Sequence, residues 1–364
     1  MPLLPDWRLR SAEGPACRAP SDRDATPYTL RAILAEWPFA GLTRLTGAKW
    51  INPPSTNRAA EYAIAVPVRN EVELLPRALS ALERTMRSHR GVGALVFAVN
   101  DTTDGSAALI ATWGRETALP CVLIEVDFDE AVRNAPHGRR LALDVASSIA
   151  PSGDLLTTDA DSHVGPDWVE ECRAQLASGH AMVCEDVRLD EEELSRLPDR
   201  VRHVGDIERQ YYSALSQLWD RWTGGMGGTF AYRASGASIA IRTAIYEAVG
   251  RLPLPTHGED AALCARVIER GYHVAQVSDL GTRTSARLDG RAAGGCGQAL
   301  QHRSVAADPF CDAALLSIPV LRKRAATGKN RDGCDGAAPL RLSEVERELA
   351  IARRLLLEGE REVA

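Results

Sequence analysis

From Tyr62 onward the chain alternates short apolar runs with longer stretches whose apolar residues recur every three or four positions. "YAIAVPV" (62–68) is apolar throughout, the pattern of a strand buried on both faces. The stretch after it, "EVELLPRALSALERTMRSH", sets Leu75, Leu79, Leu82 and Met86 on one helical face. The alternation continues with strand "ALVFAV" (94–99), helix "DGSAALIATW", strand "CVLIEV" (121–126), helix "GRRLALDVASSIA" and strand "DLLTT" (154–158). A helix "PDWVEECRAQLASG" follows, with Pro166 near its start and Gly179 as its cap. Beyond it the pattern predicts a long helix "VGDIERQYYSALSQLWDRW", a glycine-rich "TGGMGG" and strand "SGASIAI". Helices "TAIYEAVG" and "EDAALCARVIERG" and strand "YHVAQVS" complete this half.

Strands and helices alternating at these lengths imply an α/β fold, a Rossmann-like, mostly parallel sheet flanked by helices. In such sheets ligands sit beyond the carboxyl ends of the strands, where "PVRNE", "NDTTDG" and "DADS" fall, so these loops are expected to converge on one crevice. Residues 1–60 carry prolines at 2, 5, 15, 20, 27, 38, 53 and 54, and only "YTLRAILAEW" reads as a helix, which makes them an irregular accessory arm. Residues 61–300 are read as the main domain. Residues 301–364 form a tail, loop-like from about 305 until the amphipathic "LSEVERELAIARRLLLEGE". That helix packs on the body or on another copy, so a homo-oligomer is one expected outcome.

Composition narrows the class. A net charge of −6, with no block of consecutive basic residues, argues against a nucleic-acid surface. Of the 43 basic residues only Lys49, Lys323 and Lys329 are lysines, so a lone arginine carries little weight as a functional signal. The eight cysteines show no C-x-x-C spacing and read as reduced core thiols, which points to a cytoplasmic protein. No apolar run reaches bilayer length, and the amino terminus lacks the apolar segment of a signal peptide.

"LLTTDADSHVG" ends an apolar strand in Asp159 and Asp161. Residues two apart on an extended segment point the same way, and two carboxylates that close repel unless a positive charge lies between them. A divalent cation with oxygen ligands, Mn²⁺ or Mg²⁺, supplies that charge and is typically held by one or two carboxylates together with phosphates. Taken alone, the pair also matches two solvated loop aspartates.

Four motifs in order, "VPVRNE" (66–71), "NDTTDGS" (100–106), "TTDADS" (157–162) and "GEDAALCARVIERGYHV" (258–274), resemble the family 2 glycosyltransferases, nucleotide-sugar enzymes of the GT-A fold. The resemblance spans approximately residues 62–280. It implies that the segment around Pro67 and Glu71 binds the nucleoside. It implies a base contact from Asp101, although Asn100 stands where many members have the first of two aspartates. The D-A-D triplet is the implied metal and diphosphate site, with Asp161 the direct ligand and Asp159 contacting ribose or a metal-bound water. "PHGRRLALDVA" resembles the stretch where a basic residue nears the diphosphate, Arg139 or Arg140; a surface salt bridge is the other reading. In "GED", Asp260 matches the catalytic base of an inverting transfer, with Glu259 beside it; capping of a helix start is the plainer role. Arg251 replaces a glycine usual before that motif.

The remaining signals are weaker. "TSARLDGRAAGG" sets Arg287 and Arg291 four apart and is similar to the phosphate-facing segment of glucosyl-3-phosphoglycerate synthase-like transferases, which retain configuration and use a phosphorylated small acceptor; a surface pair fits equally. "TGGMGG" lacks the Lys-Ser/Thr of a phosphate loop and reads as an acceptor or lid loop. Trp219 and Trp222 stack on a sugar or belong to the core, and His257 and His273 are candidate third metal ligands or structural residues. The resulting expectation is a metal-dependent transferase moving a sugar from a nucleotide-diphosphate donor to a small-molecule or lipid-linked acceptor. Its competitors are the retaining enzyme, a nucleotidyltransferase that "PVRNEVELLP" does not resemble, and a non-catalytic nucleotide-sugar binding module.

Overall fold

The computed structural model describes residues 27–54, 59–225, 228–290, 294–327 and 339–363. The chain opens with α1 (Pro27–Ala35) and then β1 (Thr43–Asn52), within the segment whose sequence reads as irregular. The strand's own burial pattern is mostly exposed or half-buried, so periodicity gives it no signature. It forms because the edge of β4 accepts it in antiparallel register, from Thr43 opposite Phe128 to Asn52 opposite Cys121.

The predicted β/α units then follow: β2 (Tyr62–Val68), α2 (Leu75–Ser88), β3 (Gly93–Asn100), α3 (Ser106–Thr117), β4 (Cys121–Phe128), α4 (Ala135–Ile149), β5 (Asp154–Thr157) and α5 (Trp168–Ala177). Past them come β6 (Met182–Glu185), β7 (Arg188–Leu189), α6 (Glu191–Ser195), the long α7 (Asp199–Thr223), β8 (Ile239–Arg242) and α8 (Thr243–Ala248). The last elements are α9 (Glu259–Glu269), β9 (Val274–Val277), β10 (Arg283–Thr284), α10 (Cys296–Val305), α11 (Ile318–Thr327) and α12 (Leu342–Val363). Thus α11 is helical where the tail reads as loop-like, and α10 lies where the sequence pattern assigns no element.

Eight strands form one sheet in the order β1-β4-β3-β2-β5-β8-β6-β9, and β7 pairs with β10 apart from it. Pairing is parallel from β4 to β5 and between β6 and β9, while β1 and β8 run against their neighbours. Alternate residues of β2 enter opposite cores. Ala63 and Ala65 meet α4 through Leu141 and Val145, whereas Ile64 and Val66 join Leu79 and Leu82 of α2 and Trp168 of α5. Burial on both faces explains the unbroken apolar runs. A separate helical core joins α7, α11 and α12 through Leu215, Leu218, Trp219, Leu321, Val345 and Leu349. Trp219 therefore belongs to a core and donates to the Gly228 carbonyl at 2.9 Å, while Trp222 lies under the Arg322 guanidinium. No helix among the described residues is long and apolar enough to cross a membrane.

Candidate functional site

Parallel strands bring their carboxyl ends to one edge of the sheet, and the loops leaving β2 and β3 are stitched together there. Asn70 adopts a left-handed φ of 53°, which lets its Oδ1 accept from the Thr103 amide at 2.7 Å. The Glu71 amide donates to Ser106 Oγ at 2.9 Å, and the Val72 amide donates to Asp104 at 3.0 Å. Pro67, half-buried on β2, packs against the first turn of α4: a Cβ added to Gly138 would sit 3.6 Å from Pro67 Cβ and 2.9 Å from Asn100 Oδ1.

Two arginines lock the acidic groups in place. Arg139 is buried, and its guanidinium donates to Asp159 Oδ1 at 2.6 Å, Glu259 Oε1 at 3.1 Å, Thr157 Oγ1 at 3.0 Å and the Gly236 carbonyl at 2.8 Å. One side chain thereby joins the end of β5, the start of α9 and the segment before β8. A Cβ on Gly236 would fall 2.2 Å from Arg139 Nη2, so only glycine leaves room for this packing. Burial opposes the charge on Arg139, but Asp159 and Glu259 outweigh it and hold its pKa above the ordinary value.

Arg287 forms the second lock. It donates a bidentate pair to Glu71, at 2.7 and 2.6 Å, and a further bond to Asp161 Oδ2 at 2.8 Å. The chain just before it is held by Glu193, whose Oε2 accepts from Ser285 Oγ at 2.6 Å and from the Ala286 amide at 2.7 Å. Arg77 of α2 holds Glu193 in turn, at 3.0 Å, and Asp190 at 2.9 Å. No sequence motif marks Arg77 or Glu193, whose partners lie far along the chain, and nothing in the strand "SGASIAI" around Gly236 points to Arg139.

Asp260 sits next to Glu259 at the start of α9, with Oδ2 accepting from the Gly236 amide at 2.9 Å and Oδ1 from the Ala261 amide at 2.8 Å. Burial and then the Glu259 charge raise its pKa, against these two amides and Arg139. Asp161 is pushed up to about 7, first by burial and then by Asp159, with Glu71 adding to it and Arg287 and Ser162 opposing. Glu71, Asp159, Asp161, Glu259 and Asp260 thus face two guanidiniums, leaving an excess of negative charge.

The other expected residues are placed elsewhere. Arg140, next to Arg139 on α4, turns to Asp144 at 2.7 Å and the Leu252 carbonyl at 2.6 Å, and takes no part in the acidic set. Asp101, at φ 46°, accepts from the Phe128 amide at 3.1 Å and pairs with Arg133 at 3.1 Å, beside β4. His257 is exposed, and His273 is exposed just before β9, whose first residue pairs with the start of β6, so it lies at the amino end of that strand pair. Arg291 and the Met226–Gly227 part of "TGGMGG" lie outside the described residues. A further ion-paired group, Arg233 with Asp186 at 2.5 Å and Asp312 at 3.0 Å, ties the segment before β8 to the carboxyl end of β6.

Among the described residues no group of three or more His, Cys, Asp or Glu side chains is arranged as a metal cage. The donor set instead suits a hard cation that takes two carboxylates from the protein and completes its shell with phosphate oxygens and water. Crowded carboxylates, one of them with a pKa raised by burial and then by its acidic neighbours, are the environment such a cation relieves.

No protein-family model matches the chain, and no curated protein matches it. Solved structures do. A mannosyltransferase from Pyrobaculum calidifontis, in complex with GDP-Man and Mn²⁺, is 17% identical with a TM-score of 0.47, covering 92% of this chain and 85% of that one. Glucosyl-3-phosphoglycerate synthase from Mycobacterium tuberculosis, in complex with Mn²⁺, UDP and phosphoglyceric acid, is 15% identical with a TM-score of 0.42, covering 67% and 77%. Residues 1–349 of S. aureus TarS are 13% identical with a TM-score of 0.42, covering 63% of this chain and 61% of that one. These neighbours are GT-A glycosyltransferases. Identities and scores this low transfer no activity and no residue role to this chain.

Proposed function

We propose that the protein is a metal-dependent glycosyltransferase that moves a sugar from a nucleotide-diphosphate donor to an acceptor hydroxyl with inversion at the anomeric carbon. The observation that carries the reading is the interlocked set at the strand ends: Asp159 and Glu259 on Arg139, Glu71 and Asp161 on Arg287, and Asp260 fixed by two amides. Asp159 and Asp161 would hold Mn²⁺ or Mg²⁺. A cation held there would supply positive charge against the diphosphate as it departs.

The residues divide the remaining work. Glu71 and Pro67 line the nucleoside side of the crevice. The Asp260 carboxylate takes the proton of the acceptor hydroxyl as its oxygen forms the new bond to the anomeric carbon and the bond from that carbon to the diphosphate oxygen breaks. Its raised pKa makes it a stronger base than a solvated aspartate, and the Gly236 and Ala261 amides hold its orientation. Arg139, buried and bonded to Asp159 and to Glu259 beside the base, sets the spacing between the strand end and the start of α9. We place the protein in the cytoplasm, a reading supported by the free thiols of the six described cysteines.

The test is a thermal-shift screen of the purified protein against UDP, GDP, dTDP and CDP sugars, each with and without Mn²⁺. A ligand bound only by the native state raises apparent stability with the logarithm of its concentration over Kd. Stabilisation by one nucleotide sugar only in the presence of Mn²⁺ is the expected result; no response to any donor in either condition overturns the reading. Product stereochemistry with the donor so found separates inversion from retention.

A further inference from the structure

We propose that Arg287 is a built-in counter-ion that holds Glu71 and Asp161 until the donor diphosphate releases it, so that cation and nucleotide bind as a coupled pair. The proposal rests on the transferase reading and adds to it an order of exchange. Its basis is the choice of partners: the Arg287 fork is bonded on both nitrogens to Glu71 and again to Asp161 Oδ2 at 2.8 Å. A cation approaching Asp161 alone must break that bond and leave a guanidinium, with only 19% of its side chain exposed, beside a positive ion. A diphosphate arriving with the cation changes the balance, because its oxygens match the planar fork that the carboxylates release.

The exchange is a motion of the side chain and not of the loop. Ser285 and Ala286 are tied to Glu193, and Glu193 to Arg77. Past Arg287 the main chain meets the first turn of α10: a Cβ on Gly297 would lie 2.5 Å from Gly290 Cα and 3.1 Å from the Arg287 carbonyl oxygen. Arg139 offers the contrast. Its guanidinium is buried and bonded to two carboxylates, a hydroxyl and a carbonyl, so it has no comparable freedom to change partners.

Coupling of this kind is reciprocal, so the factor by which nucleotide tightens the cation equals the factor by which cation tightens nucleotide, commonly about 5- to 150-fold. The experiment titrates Mn²⁺ into the full chain, following free Mn²⁺ by electron paramagnetic resonance, with and without the nucleoside diphosphate found in the thermal-shift screen. Wild type should bind Mn²⁺ weakly alone and at least about fivefold more tightly with nucleotide. Arg287→Met should bind Mn²⁺ alone more tightly than wild type and lose most of the nucleotide effect. Arg287→Lys, which keeps the charge but not the fork, should fall between them and covers the case in which the methionine variant does not fold. Arg283→Met removes a nearby positive charge that pairs with Asp279 and should leave Mn²⁺ binding as in wild type.

Arg287 variants that bind Mn²⁺ alone no more tightly than wild type overturn the proposal while the transferase reading stands, as does an equal gain in Arg283→Met. Absence of Mn²⁺ binding by wild type under every condition removes the transferase reading and the proposal together.

Discussion

Replacing Arg139 with methionine keeps most of the side-chain volume and deletes the charge that Asp159 and Glu259 share. The Glu259 side chain is 9% exposed and that of Asp159 is 32% exposed, so the first is stranded almost fully and the second regains part of its hydration. Breaking a buried ion pair by removing one partner costs about 3–5 kcal/mol, and the partial exposure of Asp159 favours the lower end, about 3 kcal/mol. An unfolding entropy of about 2.1 cal/mol/K per residue over 364 residues is roughly 0.8 kcal/mol/K, so Tm should fall by roughly 4 °C. Calorimetry at pH 8 and pH 5 checks both size and origin. The stranded carboxylates would have folded-state pKa values above their unfolded ones, so the variant loses stability as pH rises, and its deficit should be larger at pH 8 than at pH 5. A Tm within about 1 °C of wild type at pH 8, or a deficit independent of pH, would refute the account of Arg139 as the charge that holds the two acids together.

Other expectations follow from the same geometry. Asp260→Asn should leave nucleotide affinity near wild type by isothermal titration and lower turnover by about 10²- to 10⁴-fold; equal loss of affinity in Asp260→Asn and Asp161→Ala would sink the division between base and cation ligand. Asp161 is raised to about 7, above its unfolded value, so the folded state binds the extra proton and stability declines as pH rises between the two. Asp161→Asn should therefore raise Tm at pH 8, with the gain fading by pH 5; a constant gain across that range argues against like-charge crowding. Gly236→Ala would drive a methyl to within 2.2 Å of Arg139 Nη2, so Tm and turnover should fall together, as in Arg139→Met. A Gly236→Ala protein with normal turnover would show that Arg139 repacks freely.

Much of this architecture is written locally. The apolar runs at 62–68, 94–99, 121–126 and 154–158 and the helical faces between them correspond to β2 through β5 with α2, α3 and α4, because a strand covered on both faces and a helix covered on one impose different periods on their own residues. The acidic pair at 159–161 was likewise visible by its spacing at a strand end, and the pair at 259–260 by the resemblance of its motif. What stayed hidden depends on partners. β1 is an edge strand whose pairing with β4 does what its weak pattern does not, and α10 and α11 carry little of the periodicity that marks a helix in advance.

The sequence by itself determined the layered core and which acids stand at strand and helix ends, since both follow from residues a few positions apart. Only the tertiary structure decided their charge partners. Arg139 and Arg140 are adjacent in a chain rich in arginine, yet a helix turns successive side chains to different faces, and one meets Asp159 and Glu259 while the other meets Asp144. Arg287 finds Glu71 from 216 residues away. Such long-range ion pairs have no local signature, because nothing but the packing of the whole sheet and its helices brings the two charges within reach of each other.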